Sequence, residues 1–389
     1  MIFEDIIIND FMIYAVFVSC IVLQALVTCL SSKAVAKLQS LSVYMNCLLI
    51  LLVVIVLPIG TKLRIGTFNE PSFIFGYFNN SSDWPPVWAF LQFGLISGIW
   101  TVSSFDSCVH MSEEAHDPST SVPIGIIGSI STGWLLGLLI NIVLCTCMST
   151  DITKLLNSST GQPLAQIFID SLGTHLAIIF MILIAIGQFL MGASALVAIS
   201  RQLWAFARDD GLPFANYIKI VHQRLSTPIN AICFSAIVAM CIGCISLIGS
   251  TAANALFSLS VLGNYISWMT PQLLRFIGSM SFIPGKFYLG PVWSPLVNLI
   301  SILSQVFIII MCCFPDYKHV TKETMNYTIV VNGLTWVTSM MYYYVYKRHS
   351  FSGPKTNLEE EEIIEVVEIL DGVDITPNLG PAPPLKIYD

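Results

Sequence analysis

The sequence predicts an all-α protein that crosses a membrane several times, and three observations predict it. Charged residues are scarce, apolar residues come in long blocks, and basic residues gather in alternate connections between the blocks. Of 389 residues, 55% are hydrophobic and 11% are charged, against roughly 25% charged in an ordinary soluble domain. So few charges cannot cover the water-facing surface of a chain this long. The blocks run about 18 to 25 residues, enough to cross roughly 30 Å of hydrocarbon at 1.5 Å per residue. A bilayer core offers a bare backbone no hydrogen bonds, so each block has to be a helix.

Nine blocks meet this requirement, at about 11–29, 42–60, 88–107, 123–146, 173–199, 228–249, 253–274, 292–313 and 328–346. No basic stretch with a small-residue cleavage site precedes the first, so no signal peptide is expected. Orientation follows from the connections. One set holds eleven basic residues: Lys33, Lys37, Arg201, Arg208, Lys219, Arg224, Arg275, Lys286, Lys347, Arg348 and Lys355. The opposite set holds five: Lys62, Arg64, Lys154, Lys318 and Lys322. The richer side is expected in the cytosol, which puts the C-terminus inside and Met1 outside. An acidic, export-signal-free start on the outer side resembles a start within a membrane domain.

Residues 1–349 therefore read as a transmembrane domain and 350–389 as an acidic cytosolic tail. From Ser350 onward there are nine acidic residues and two lysines, which accounts for the whole formal charge of −7. Within the tail, Glu359 to Leu370 spaces Glu362, Glu365 and Glu368 three apart with apolar pairs between. That spacing fits a short amphipathic helix for a partner or, as composition favours, a solvated disordered stretch. Anionic headgroups would repel it.

Most of the eleven cysteines fall inside or at the ends of blocks. Cys241 and Cys244 have the spacing of a redox or metal pair, but in mid-span a thiol serves as a small apolar filler. No disulfide framework, metal site, cofactor site or nucleic-acid-binding surface is expected. Nor does any nucleophile–base pair or phosphate loop point to an enzyme. Sequons at Asn79, Asn80, Asn157 and Asn326 all fall on the side that charge assigns as non-cytosolic. The first three are candidate glycosylation sites, while Asn326 abuts a span.

The informative polar residues lie in the third block and after the fifth. Counted from Trp88, Ser97 and Gly98 lie roughly 15 Å along a helix, at the bilayer midplane. With Thr101, Ser103 and Ser104 they put small and hydroxylated residues where a structural span would carry Leu or Val. That pattern fits a discontinuous helix whose exposed backbone groups bind a polar substrate, or tight packing of helices through small residues. Trp100 could offer its face to a cationic amine or simply pack. Asp106, roughly 27 Å along the same helix, would sit at the inner surface. There Asp106, Glu113 and Glu114, with His110, could form a gate with Arg201 or Arg208, or be a solvated helix end.

At these positions the sequence resembles a known family. Ser104-Phe105-Asp106, Ser112 to Pro118 and Val122 to Ile126 resemble a signature of amino acid–polyamine–organocation permeases. The first position of its Gly-Phe-Asp element is Ser104 here. Ser200 to Pro213 looks like the exit of that family's eighth helix. Phe282 to Gly285, Leu289-Gly290 and Val320 to Tyr327 resemble the fungal branch that includes GABA, choline, polyamine and biotin-precursor permeases.

The resemblance implies an inverted-repeat transporter fold of the LeuT type in incomplete form, its nine spans matching helices 4–12. It implies a secondary transporter of amino acids or related amines, coupled to protons and lying in the plasma or vacuolar membrane. Substrate would lie near Ser97, Gly98, Trp100, Thr101 and Ser103, with Ser258 or Tyr265 added from the tenth helix. With the family's first helix absent, one wall of that site would be missing. The alternative expectation is therefore a truncated, non-transporting remnant or a membrane partner of other permeases. Which substrate, and which oligomeric state, are not legible.

Overall fold

Each of the nine apolar blocks forms a helix, and the residues at the block edges set where it starts and stops. The computed structural model describes residues 9–351 and 353 except 81, 113–114, 159, 249, 279–283 and 322–323, and at 246, 248, 250–255 and 257–258 the backbone alone. Glu113, Glu114, the Phe282-Ile283 part of the family motif and the acidic stretch of the tail lie outside the described residues, as does the side chain of Ser258. No strand forms among the described residues.

Asn9 opens α1 (Asp10–Thr28) by accepting the Met12 N–H at 2.9 Å, and Ser31 opens α2 (Ser32–Arg64) by accepting that of Ala34. Such caps satisfy donors that the first helical turn leaves open. The α2 helix starts well before the expected span because Lys33 to Gln39 are mostly strong helix formers. A short α3 (Pro71–Gly76) leads to α4 (Pro86–Thr101), whose Pro86 suits a first helical position. Then come α5 (Ser107–His110), α6 (Pro118–Cys147), α7 (Ile152–Leu156), α8 (Pro163–Leu172) and α9 (Thr174–Arg208). The series ends with α10 (Ala215–Ile218), α11 (Ile229–Gly243), α12 (Ser250–Ile277), α13 (Gly290–Cys313) and α14 (Thr328–Tyr342). A 3₁₀ turn at Cys244–Ile248 follows α11, and a π-helical turn at Tyr343–Lys347 closes α14.

Among these, α1, α2, α6, α9 and α13 are both long and apolar enough to cross a membrane, and α11 is apolar but only 15 residues long. Three expectations change. The third block is not one helix to residue 107, since α4 stops at Thr101. The fifth runs on to Arg208, so Arg201 and Arg208 lie within a helix rather than after it. The α8 helix is additional. At ten residues it is too short to span, and it buries Ala165, Ile167, Phe168, Ser171 and Leu172.

The chain divides into two compact units, residues 1–255 with 315–325 and residues 256–314 with 326–389. In the first unit α9 is the central helix, packed against α1, α2, α5, α8, α10 and α11. Its buried Ala177, Gly187, Ala193, Ala198 and Ala207 let neighbours come close. Lipid tails are as apolar as side chains, so close van der Waals packing is what drives such contacts. A cluster of Val53, Leu57, Cys147, Leu155, Phe168, Leu172 and Phe180 joins α2, α6, α7, α8 and α9. Asn69 holds the end of α6, its Nδ2 donating to Cys145 O at 2.7 Å and Met148 O at 2.8 Å. Helix-end carbonyls have no partners within the helix, and this side chain supplies them.

In the second unit, Gln305 Nε2 donates to Gln272 Oε1 at 3.0 Å and to Ser301 Oγ at 2.9 Å. Asn298 donates to Gln272 O at 3.1 Å. The two bonds to Gln272 fasten α12 to α13 with groups that would be costly to leave open in lipid. Asn326 repeats the Asn69 device at the end of α13, donating to Cys312 O and Phe314 O at 2.9 Å each.

Candidate functional site

A break in a helix frees backbone groups at membrane depth, and here the break falls between α4 and α5. The α4 ladder ends with Val102 N–H donating to Gly98 O at 3.3 Å and resumes with Ser107 N–H donating to Ser104 O at 3.2 Å. Ser97 and Gly98, where the interruption was expected, are helical. The interruption is at residues 102–106, one turn further on. Asp106 consequently closes the break as the N-cap of α5 and is not on one continuous helix with Ser97.

Ser104 takes φ +67°, a left-handed conformation in which an ordinary side chain crowds the following carbonyl. This is the position at which the resembling signature carries glycine, the residue that adopts such a backbone without cost.

Glycines on α6 seat the break. A Cβ on Gly137 would stand 2.7 Å from Thr101 Cγ2, and one on Gly125 would stand 2.9 Å from Cys108 Sγ. Gly133, between them, faces Thr101 O at 3.6 Å. The spacing of 125, 133 and 137 puts all three on one helix face. The last turn of α4 and the first of α5 thus both rest on α6, and small residues make the approach possible. By contrast, a Cβ on Gly94 or Gly98 would meet nothing within 4 Å. Packing among the described residues therefore does not account for glycine at 98.

The hydroxyls leading to the break turn back on their own helix. Ser97 Oγ donates to Gly94 O at 3.1 Å, Thr101 Oγ1 to Ser97 O at 3.0 Å and Ser103 Oγ to Trp100 O at 3.0 Å. Ser97, Gly98 and Thr101 are exposed, Trp100 is 49% exposed and Ser103 is half-buried. Five of the seven candidate substrate residues thus line the approach to the break. Ser258 and Tyr265 belong to α12, where the Tyr265 ring lies 5.0 Å from that of Trp268.

Beyond the break, α5 packs against α6 and α9. Asp106 Oδ2 lies 3.4 Å from His110 Nε2, one helical turn on. A cavity of about 180 Å³ follows, lined by Val109, His110 and Ser112 on one wall and by Arg201, Gln202, Trp204 and Ala205 of α9 on the other. Arg201 is 6% exposed. Its guanidinium puts a cationic side chain into this wall. The geometry brings Asp106, His110 and Arg201 to one region.

Arg208 is placed differently. Its Nε lies 3.4 Å from Asp209 Oδ1, and its guanidinium sits 5.3 Å from the Trp204 ring centre. Trp204 Nε1 in turn donates to Lys219 O at 3.1 Å, and Lys219 Nζ lies 3.1 Å from Asp210 Oδ1. Ala207, Ala215, Ile218 and Ala231 are buried together beneath these contacts. The connection after α9 is therefore a packed anchor that holds the end of the helix carrying Arg201. Sequence reasoning missed Trp204 and Gln202 as lining residues, although both lie within the motif Ser200 to Pro213.

The cysteines are free thiols. Cys244 Sγ lies 2.8 Å from Tyr14 Oη, a contact between α1 and the end of α11.

A set of long apolar helices with one broken helix seated on glycines defines an all-α integral membrane protein. The amino acid permease family matches residues 1–335, and the chain belongs to that family. It is 47% identical over 365 residues to the GABA-specific permease of Saccharomyces cerevisiae, covering 93% of this chain and 64% of that protein. An uncharacterized amino-acid permease of Schizosaccharomyces pombe is 31% identical, with coverage of 97% and 67%. Amino-acid permease 2 of Neurospora crassa is also 31% identical, with coverage of 74% and 53%. The relatives are fungal and carry the names of permeases, not of enzymes. The chain spans about two thirds of the length of the first of them.

Proposed function

We propose that the chain serves secondary transport of an amino acid or related amine, with GABA the first compound to test. The observation that carries this reading is the break at residues 102–106 with a charged cavity immediately beyond it. The 47% identity to a GABA-specific permease supports the choice of substrate. A zwitterion entering a membrane needs partners for both charged ends, because a bare charge there costs at least a few kcal/mol. The carbonyls at the end of α4 carry the negative end of the helix dipole and suit the ammonium group. Ser97, Gly98, Trp100, Thr101 and Ser103 flank that point, and Ser258 and Tyr265 are the candidates on α12.

The gate in this reading comprises Asp106, Glu113 and Glu114 at and after the break and Arg201 on α9, while Arg208, a gate candidate from the sequence, holds the anchored end of that helix. Protons drive uptake, and Asp106 beside His110 is the pair suited to exchange one. Basic residues in alternate connections put the C-terminus and the acidic tail in the cytosol, with the protein in the plasma or vacuolar membrane.

The test is uptake of labelled GABA, choline, putrescine and amino acids by cells lacking their own carriers, at acidic and neutral external pH. Saturable uptake of one compound, greater at acidic pH, supports the reading. A chain that reaches the membrane folded, yet neither binds nor takes up any of them, would instead be the non-transporting alternative.

A further inference from the structure

We infer that the chain carries N-linked glycans at Asn79 and Asn157, and none at Asn80 or Asn326. This rests on the orientation proposed above, which puts the sequons on the non-cytosolic side. The four sequons are equivalent as motifs, and the structure separates them by what each side-chain amide already does.

Glycan transfer joins C1 of a sugar to Asn Nδ2. The C1–O bond of a lipid-linked oligosaccharide diphosphate breaks, the diphosphate leaves with the lipid, and one of the two Nδ2 hydrogens leaves as a proton. A site compatible with the fold therefore needs an Nδ2 hydrogen to spare and open space around it.

Asn326 has neither. Both Nδ2 hydrogens are engaged, by Cys312 O and Phe314 O at 2.9 Å each, and Oδ1 accepts the Thr328 N–H at 3.0 Å. The sequon hydroxyl belongs to Thr328, which is fully buried. A sugar at Asn326 would remove one of the two bonds that close the end of α13.

Asn80 keeps a second Nδ2 hydrogen but lacks the open space, because both ends of its amide are held in a turn. Its Nδ2 donates to Trp84 O at 2.7 Å, while its Oδ1 accepts from Ser82 N at 3.1 Å and Ser82 Oγ at 2.7 Å. Ser82, the third residue of this sequon, is 4% exposed, and its carbonyl accepts the Lys318 N–H at 3.0 Å. A glycan here would stand in the turn that brings residues 315–318 onto the start of α4.

Asn79 and Asn157 are different. Both are exposed, and neither side chain makes a hydrogen bond among the described residues. Asn157 contributes only its backbone, donating to Thr153 O at 3.0 Å as the C-cap of α7. Both connections leave from one end of the first unit, because Asn69, upstream of Asn79, is tied to the end of α6 that leads to Asn157.

The test is mobility of the full chain, expressed in a yeast, before and after peptide N-glycosidase treatment. Two resolvable glycans are expected. Ser81→Ala destroys the Asn79 sequon while leaving that of Asn80 intact, and Ser159→Ala destroys that of Asn157; each should remove one glycan. Asn80→Gln and Asn326→Gln should leave both in place. Since the Gln variants disturb the fold, their surviving protein is read for glycan number and not for amount. Loss of a glycan in Asn80→Gln or Asn326→Gln, with retention in Ser81→Ala or Ser159→Ala, overturns the assignment.

A glycosylation tag fused after Asp389 separates the two ways an unshifted wild type could arise. If the tag acquires sugar, the proposed orientation has failed and the assignment with it. If the tag stays bare and the wild type is also unshifted, the orientation stands and the assignment of these two asparagines is wrong.

Discussion

Thr101, the last residue of α4, holds its Cγ2 methyl 2.7 Å from the point where a Cβ on Gly137 of α6 would stand. No ordinary Cβ contact is so short, so a side chain at 137 would have to displace the Thr101 methyl or move the end of α4. The break begins at the next residue, and its position therefore depends on a side chain that is absent from another helix.

Replacing Gly137 by alanine should thus push α4 off α6. Overpacking of this kind costs about 1–3 kcal/mol, partly offset by the better helix propensity of alanine. Gly137→Ala should lower the melting temperature in detergent and reduce uptake. Gly128→Ala, on the same helix with nothing within 4 Å of its Cβ position, should leave both unchanged or slightly improved. Equal effects from the two variants would mean that helix propensity, not contact, governs the site.

Ser104 lies in the left-handed region at φ +67°, which costs a residue with a Cβ about 1–2 kcal/mol. Ser104→Gly should therefore raise stability by up to about 1 kcal/mol, since glycine also loses more freedom on folding. Ser104→Val, whose branched side chain tolerates this backbone least, should lower it. Thermal unfolding of both variants followed by fluorescence-detected size exclusion provides the check. A stable valine variant would show that the chain relaxes out of this conformation.

Arg201 faces the cavity that His110 and Ser112 line from the other side. If the two walls work as a gate, Arg201→Ala should cut the maximal uptake rate more than it raises KM. The charge exchange Asp106→Arg with Arg201→Asp should recover part of the loss. Arg208→Ala should act mainly on stability, because Arg208 is held by Asp209 and Trp204 at the anchored end of α9. Initial-rate measurements at matched membrane expression separate these outcomes. An exchanged pair that restores nothing would remove Asp106 from the gate.

Burial pushes the carboxyl of Asp316, in the connection between α13 and α14, above its ordinary value of 3.8. The folded state then holds its proton to higher pH than the unfolded state does. Ionisation at neutral pH opposes folding, and this penalty fades as pH falls through the raised value towards 3.8. Asp316→Asn should accordingly be more stable than the wild type at pH 7, and the difference should narrow in acid. Melting curves across that range test the sign, and a variant less stable at pH 7 would mean that the carboxylate has a partner worth more than its desolvation.

Much of this protein was legible in its sequence. Long apolar blocks become helices because lipid leaves the backbone no other hydrogen-bonding partner, and that demand is local to each block. Family motifs around Asp106 and Arg201 were equally plain, since a motif is a run of residue types along the chain. What the sequence could not place is where neighbouring helices approach. The end of α4, and with it the start of the break at 102–106, lies against Gly133 and Gly137 of α6, a contact between segments that no single block announces. Likewise α8 packs its short apolar face on α2 and α9, and the four sequons, alike as motifs, differ in burial and in which amides the fold has engaged. Periodicity and composition are carried by single segments. The register of one segment against another depends on which side chains are missing at the crossing, and only the tertiary structure decided that.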